Sequence, residues 1–364
     1  MAKRKESDFQ AEAKNFLNGL FLKRPAVPFK LQGTREEQKR MTMIIDEVAN
    51  NSPFAKEILE KAANAGYTLS LTHLGNAVGS TNGNAKTIML QESASSEKLM
   101  STLIHESRHA QQYENGVDYE FFSLNVKSEI MVRRAMEADA CACAAFGVTQ
   151  MKENGMGGAY FTYSDEKPDL FKSLEEGRKQ GGDKGALRGA FDAWYKDTNQ
   201  KAAYENLYLT QPMRRAEHDW NFMFMDFHKD VKSEDVIDKI CAFGDTRYFD
   251  GKDTLEDKKY LDISERTKEI ADKFFKLRED MQFTKPDKSY EELPTRQASM
   301  SESLTMVLNG FGELDLPQES KKEKIMENKE RFMKAQAPKK NVSALARAAA
   351  MKKHCLLYTS DAAD

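Results

Sequence analysis

A chain of 364 residues is long enough to bury a full hydrophobic core, as one large domain or as two small ones. Its formal net charge of −3 at pH 7 excludes the strongly basic balance that is typical of nucleic-acid-binding proteins, so no nucleic-acid partner is expected. The 31% of charged residues and the 18 methionines favour a helix-rich protein, and no apolar run is long enough to predict a transmembrane span.

The N-terminal segment begins with basic residues, as a signal peptide does. Its apolar stretch Phe16–Leu22 is short and interrupted, however, and Lys23 and Arg24 follow it directly. We therefore interpret residues 1–33 as an amphipathic helix and a linker. This interpretation predicts a cytoplasmic protein, with non-classical secretion left open.

Two helices are predicted next, because apolar residues recur at helical spacing. The first runs from Thr34 to Ala49. The second begins with Ser52 as N-cap and Pro53 at the first helical position, and it ends at Gly66. Both are interpreted as packing helices.

The period then changes from helical spacing to alternation. Tyr67, Leu69 and Leu71 alternate with polar residues, and this pattern predicts a strand. A loop rich in Gly and Asn, over residues 75–84, leads to a second strand over residues 86–91. His73, at the end of the first strand, is expected to be solvated or to pack, not to bind a metal.

A complete H-E-x-x-H follows, formed by His105, Glu106 and His109. Two histidines four residues apart lie on one face of a helix, so both imidazoles can reach one metal ion with Glu106 beside them. An N-cap serine at position 95 or 96 and a stop at Gly116 place the motif in the middle of a helix. This arrangement predicts a zinc site with a base next to it.

Glu137 and Asp139 compete for the role of third ligand on the next predicted helix, which runs from Val126 to Phe146 with its end at Gly147. Two residues along a helix turn the chain by about 200°, so only one of the two can face the motif helix. The face of Glu137 carries small residues that permit close approach of the two helices. We therefore predict Glu137 as the ligand and give Asp139 a supporting role, orienting a ligand histidine or pairing with an arginine.

The combination of His105-Glu106-x-x-His109 with Glu137-Ala138-Asp139-Ala140 on the following helix resembles the gluzincin pattern of zinc metallopeptidases. More narrowly, it resembles small single-domain metallopeptidases in which a Glu-x-x-Ala helix follows the H-E-x-x-H helix. The resemblance covers about residues 50–150. It implies an α+β, zincin-like domain in which His105, His109 and Glu137 hold Zn²⁺. It also implies that the strand Thr87–Leu90 is the sheet edge along which a substrate peptide is added, with an ordinary structural hairpin as the alternative.

Peptide-bond hydrolysis is the activity that these residues predict, on a protein or peptide substrate. A zinc-bound water, activated by Glu106, would attack the scissile carbonyl. Two other functions stay open: a catalytically silent zincin-fold module that binds proteins, and a zinc hydrolase of a non-peptide bond, as in a toxin or effector. Candidates for stabilising the oxyanion are Tyr160, Tyr163, Tyr204, Tyr208 and His218.

The remainder of the chain completes the predicted organisation. Residues 151–185 are rich in Gly and are predicted to be mostly loop, and the aromatic residues between 191 and 227 are predicted to be core. The cysteines form no CxxC pair and are expected to be small buried residues. The predicted units are residues 1–33, a zincin-like metallopeptidase domain at 34–228, a helical C-terminal region at 229–320, a Lys-rich tail at 321–354, and residues 355–364, which resemble a translated sequencing adapter.

Overall fold

The structure is a computed structural model, and it describes residues 25–119, 123–215, 227–243, 246–251, 253–281 and 287–297. The predicted N-terminal amphipathic helix, the Lys-rich tail and the adapter-like last ten residues lie outside the described residues. His218 lies outside them as well. The predicted boundaries between domains stay a prediction.

A four-stranded sheet forms from the first third of the described chain. It contains β1 (Lys30–Gln32), β2 (Thr68–Thr72), β3 (Gly79–Asn82) and β4 (Thr87–Gln91), in the order β1-β2-β4-β3. β1, β2 and β4 are parallel, whereas β3 is antiparallel to β4. Leu69, Leu71, Ile88 and Leu90 are buried, as the alternation in the sequence predicts for one covered face.

The prediction that Thr87–Leu90 forms the sheet edge was wrong. β4 lies between β2 and β3, and within the described residues the sheet has β1 at one edge and β3 at the other. The sequence placed β3 in a loop because Gly-Ser-Thr-Asn has neither an apolar alternation nor strong β-propensity. Pairing with β4 along its whole length overrides that weak local preference.

Four helices pack beside this sheet. α1 (Arg35–Asn51) begins with a capping box formed by Thr34 and Glu37, and α2 (Pro53–Asn64) begins at the N-cap Ser52. α3 (Ser96–Glu114) contacts β3 and β4 and carries the H-E-x-x-H motif. α4 (Val126–Glu153) is buried over nearly its whole length and packs against α1, α2 and α3. It is therefore the central helix of the core.

The predicted helix end at Gly147 was wrong, because α4 continues six residues further to Glu153. Gly147 serves packing instead. A Cβ atom at this position would lie 2.9 Å from Cδ1 of Ile104 and 3.2 Å from Cβ of Ala55. Glycine thus permits the close approach of α4 to α3 and α2.

The predicted loop-rich segment 151–185 is instead mostly helical, forming α5 (Gly158–Glu166) and α6 (Pro168–Trp194). α6 is broken at Gly181 and Gly182, where φ of Gly182 is +60°, so its two halves fold back on each other. A Cβ atom at Gly177 would lie 2.0 Å from the carbonyl oxygen of Gly185. The glycines therefore form a tight turn and a close backbone contact, not a loop.

The rest of the described chain packs around α4. It begins with α7 (Thr198–Glu205), a π-helical turn at Asn206–Thr210 and α8 (Gln211–Arg215). The later elements are α9 (Ser233–Ile240), β5 (Ala242–Phe243), β6 (Thr246–Arg247), α10 (Lys258–Leu261), β7 (Ile263–Ser264), α11 (Glu265–Asp280) and β8 (Thr295–Arg296). β5 pairs with β6 and β7 pairs with β8. The described part of the chain is therefore mixed α+β and rich in helix, with one four-stranded sheet and two short strand pairs.

None of the helices in the described ranges combines the length and the apolarity that a membrane span requires.

Candidate metal centre

The H-E-x-x-H motif lies in the middle of α3, as predicted. The side chain of Ser95 caps the helix start, and Gly116, with φ of +79°, follows the C-cap Asn115. The helix is enclosed by the sheet on one side and by α4 on the other. Its rigid surroundings fix the direction of both motif histidines.

His105, His109 and Glu137 meet between α3 and α4. The two Nε2 atoms are 2.9 Å apart, and Oε2 of Glu137 lies 3.5 Å from Nε2 of His105 and 3.6 Å from Nε2 of His109. Tetrahedral ligands at zinc–ligand distances of about 2.0–2.2 Å lie about 3.3–3.5 Å from one another. The three atoms are thus spaced as ligands of a single metal ion, and they form the one such group within the described residues.

The charge of Glu137 also suits a ligand. Burial tends to raise the pKa of its carboxyl group, but His109 and His105 beside it hold that pKa well below the usual range. The side chain is only 3% exposed. Glu137 therefore offers an ionised oxygen to the space between the imidazoles.

Asp139 lies on the other side of α4 and reaches neither Nε2 atom. It is fully buried and pairs with Arg108, through Nε at 2.6 Å and Nη2 at 3.2 Å. Arg108 also donates to the carbonyl oxygens of Ile240 and Ala242, and Tyr248 donates to Asp139 at 2.7 Å. The structure thus separates the two acidic residues as the helical rotation predicted, with Asp139 tying the motif helix to the C-terminal region.

Gln112 connects Asp139 to the candidate ligand His109. Its Oε1 lies 2.8 Å from Nδ1 of His109, and its Nε2 donates to Asp139 at 2.7 Å. An Nδ1–H group that donates to Gln112 places the ring lone pair of His109 on Nε2, the nitrogen that lies near His105 and Glu137. Sequence analysis missed Gln112, although its spacing of three residues from His109 on one helix was a usable signal.

Two of the predicted tyrosines hold Glu137. The hydroxyl of Tyr204 donates to Oε2 at 2.9 Å, and that of Tyr208 donates to Oε1 at 3.3 Å. Tyr204 lies on α7 and Tyr208 lies in the π-helical turn that follows it, and their rings stack with a centroid distance of 5.8 Å. Both oxygens of the carboxylate are therefore fixed from one side.

Tyr160, His73 and His228 do not contribute to the candidate metal centre. Tyr160 donates to Glu175 and does not line the site. His73 and His228 are exposed, and the structure does not bring them to the motif. Cys141 lies with Sγ 3.8 Å from Nδ1 of His105, whereas Cys143 contacts Asp139, so the two buried thiols point to opposite sides as predicted.

A cleft opens directly at the motif. It is lined by His105 and Glu106 from α3 and by Tyr163 and Tyr204 from α5 and α7. Burial raises the pKa of the Tyr163 hydroxyl, so this group stays protonated. The cleft wall also contains Val78 and Gly79 at the start of β3, Cys141 and Ala144 from α4, and Gln200 from α7. A bound molecule would thus touch the candidate base and one candidate ligand at once.

Glu106 is 1% exposed and lies against the edge strand β3. The hydroxyl of Thr81 is 2.6 Å from Oε2 of Glu106 and 2.9 Å from its backbone carbonyl oxygen. Sequence analysis missed Thr81, and no local pattern signals it because the contact joins positions 25 residues apart.

Comparison with protein families gives one match. The model of the family described as "Putative metallopeptidase family (DUF6782)" matches residues 23–250, which is more than half of the chain. No curated protein and no solved structure matches the chain. The matched range contains the motif, Glu137 and the tyrosines that hold it.

Proposed function

The chain belongs to the Putative metallopeptidase family (DUF6782), and from this premise we propose that it is a zinc-dependent peptidase of the gluzincin type. The proposed zinc ligands are His105, His109 and Glu137, and the proposed catalytic base is Glu106. The mixed α+β architecture, with a small sheet beside the H-E-x-x-H helix, supports a zincin-like fold.

One observation carries the proposal. Nε2 of His105, Nε2 of His109 and Oε2 of Glu137 lie within 3.6 Å of one another. Glu106, which follows His105 in the motif, lines the cleft together with His105. Two imidazoles and one carboxylate are a donor set that leaves a fourth position open, as catalytic zinc sites do. Hydrogen bonds with Gln112, Tyr204 and Tyr208 orient these donors.

A zinc ion held there would supply a Lewis acid and would lower the pKa of bound water to about 7. Glu106 would take the proton from the attacking water and pass it to the amine of the leaving peptide. Its burial keeps bulk water from competing for that proton. Intact Glu106 also argues against the silent-module alternative.

We assign the hydrogen bond to the developing oxyanion to Tyr204, whose hydroxyl would turn its one proton from Glu137 to the carbonyl oxygen of the substrate as negative charge develops there. Its hydroxyl lies 2.9 Å from the Glu137 oxygen that faces both imidazoles, and its side chain lines the cleft. A donor at this place would stabilise negative charge on the carbonyl oxygen of the substrate. Tyr163 lines the same cleft and is the second candidate.

The main chain of β3 is a suitable contact for an extended peptide. Gln91 donates its N–H to the carbonyl of Val78, and in an antiparallel ladder the next residue, Gly79, then directs its N–H and C=O away from β4. Gly79 lines the cleft beside Glu106. We infer that the substrate backbone pairs with β3 here, in place of the predicted edge at β4.

The test compares zinc-loaded wild type with Glu106→Gln on fluorescein-labelled casein and on a mixed peptide library. The amide is nearly isosteric but cannot accept a proton, so we expect this variant to keep zinc and to lose hydrolysis. A chelator should abolish wild-type cleavage, and added zinc should restore it. Wild-type rates in Glu106→Gln would make Glu106 structural. Zinc binding without any peptide cleavage would favour the silent module or a hydrolase of another bond.

A further inference from the structure

Glu106 is held by a residue outside the motif. The hydroxyl of Thr81 reaches Oε2 of Glu106 at 2.6 Å and the carbonyl oxygen of the same residue at 2.9 Å. Thr81 is 4% exposed, so water does not compete strongly for this contact. A hydrogen bond to a buried carboxylate is among the stronger ones in proteins.

The neighbouring residue on the same face of β3 defines the position of the other oxygen. A Cβ atom on Gly79 would lie 2.5 Å from Oε1 and 2.7 Å from Cγ of Glu106. Because residues 79 and 81 point to the same side of a strand, β3 contacts Glu106 at both ends of its carboxylate. Oε2 is bound to Thr81, and Oε1 lies beside Gly79 in the cleft wall.

We propose that Thr81 is a positioning residue for the catalytic base: its hydroxyl fixes Oε2 of Glu106 and so presents Oε1 to the reacting water. This inference rests on the proposed function. The Thr81 hydroxyl carries one proton and has two acceptors within reach, the carboxylate and the backbone carbonyl. It therefore keeps a partner while Glu106 gains and loses a proton, and the side chain stays anchored during the transfer.

The positioning role makes the edge strand part of the catalytic machinery. The strand whose main chain would pair with the substrate also orients the base through its side chains. Substrate and base are thus aligned by one rigid element, which is how enzymes reduce the cost of orienting reacting groups.

The first test compares Thr81→Val, Thr81→Ser and the control Thr149→Val on fluorescein-labelled casein. Valine keeps the shape and deletes the donor, serine keeps the donor, and Thr149 has a buried hydroxyl that donates to Ala145 within α4. We expect Thr81→Val to keep full zinc content and to lower kcat by about 10- to 100-fold with KM changed by less than about twofold. Thr81→Ser should recover most of kcat, and Thr149→Val should match wild type.

The inference fails if Thr81→Val has wild-type kcat, or if Thr81→Ser is as slow as Thr81→Val. A second measurement does not depend on peptidase activity. Urea unfolding of Thr81→Val, Glu106→Leu and the double variant forms a double-mutant cycle. We expect Thr81→Val to lower the urea midpoint more in wild type than in the Glu106→Leu background. Additive shifts would refute the contact, whereas an inactive wild type with non-additive shifts would refute only the proposed function.

Discussion

Replacing Gly79 by alanine should misplace the catalytic base without touching the metal ligands. The added Cβ would lie 2.5 Å from Oε1 of Glu106, whereas ordinary van der Waals contact begins near 3.4 Å. The carboxylate must therefore move by about 1 Å, and a misplacement of this size costs on the order of 100-fold in rate. Overpacking a buried site should also lower the free energy of unfolding by about 1–3 kcal/mol.

Gly83→Ala is the matched control. Its Cβ would meet the ring of Tyr113 at 2.7 Å, a clash only slightly milder than the one at Gly79. Gly83 lies just beyond β3, and its Cβ would not press on Glu106. We expect both variants to lose similar stability in urea unfolding and to keep zinc. Only Gly79→Ala should lose about two orders of magnitude in kcat on labelled casein. Equal activity of the two variants would refute the account of how β3 holds the base.

Two further predictions concern buried or paired carboxylates, first at the candidate metal centre and then at Asp253. Glu137→Gln should weaken zinc binding by more than about 100-fold in competition with a chromophoric chelator, whereas Asp139→Asn should weaken it by only about tenfold; the reverse order would exchange their roles. Burial tends to raise the pKa of Asp253, but the hydrogen bonds from Arg188 at 2.7 and 3.3 Å outweigh it and lower that pKa. The pairing of Asp253 with Arg188 therefore stabilises the fold at neutral pH, and its contribution to the free energy of unfolding is lost as pH falls below about 4. The difference in urea stability between wild type and Asp253→Asn should thus close at acid pH. A difference that does not change with pH would contradict this.

Helical rotation made two features predictable: His105 and His109 share one face, and Glu137 and Asp139 lie on different faces. The choice of Glu137 over Asp139 needed a further argument, from the small residues on its face and from the resemblance. Two residues four apart share a face, and two residues two apart do not, whatever the rest of the fold is. The same reasoning gave Asp139 its supporting role. In the structure Asp139 pairs with Arg108, and Gln112 contacts both Asp139 and His109. The role of Asp139 in orienting a ligand histidine stays a prediction.

The errors have a common cause, which is the interpretation of glycine. Gly79 and Gly147 suggested a loop and a helix end, and Gly177 lies in the Gly-rich segment 151–185 that was predicted to be mostly loop. In the structure each of them makes room for a close neighbour, namely Glu106, Ile104 and Gly185. A sequence shows that a backbone position lacks a side chain, but only tertiary packing shows whether flexibility or space is the reason.

Contacts between elements that are far apart in the sequence were the other feature that sequence analysis could not predict. Thr81 lies on a strand that has no periodic signal, and its partner Glu106 lies on a helix 25 residues later. The hydroxyls that hold Glu137 come from α7 and the π-helical turn, about 70 residues along the chain. Sequence analysis could name Tyr204 and Tyr208 as donors, but it could not choose between them and the other tyrosines, because the choice depends on how α7 packs against α4.

The most direct test of the zinc site is anomalous diffraction at the zinc absorption edge from crystals of the zinc-loaded protein. A single strong peak is expected at about 2.0–2.2 Å from Nε2 of His105, Nε2 of His109 and an oxygen of Glu137. Glu106→Gln should retain that peak, and His109→Ala should lose it. A zinc peak at another place, or none between α3 and α4 in a fully loaded crystal, would contradict the proposed metal centre.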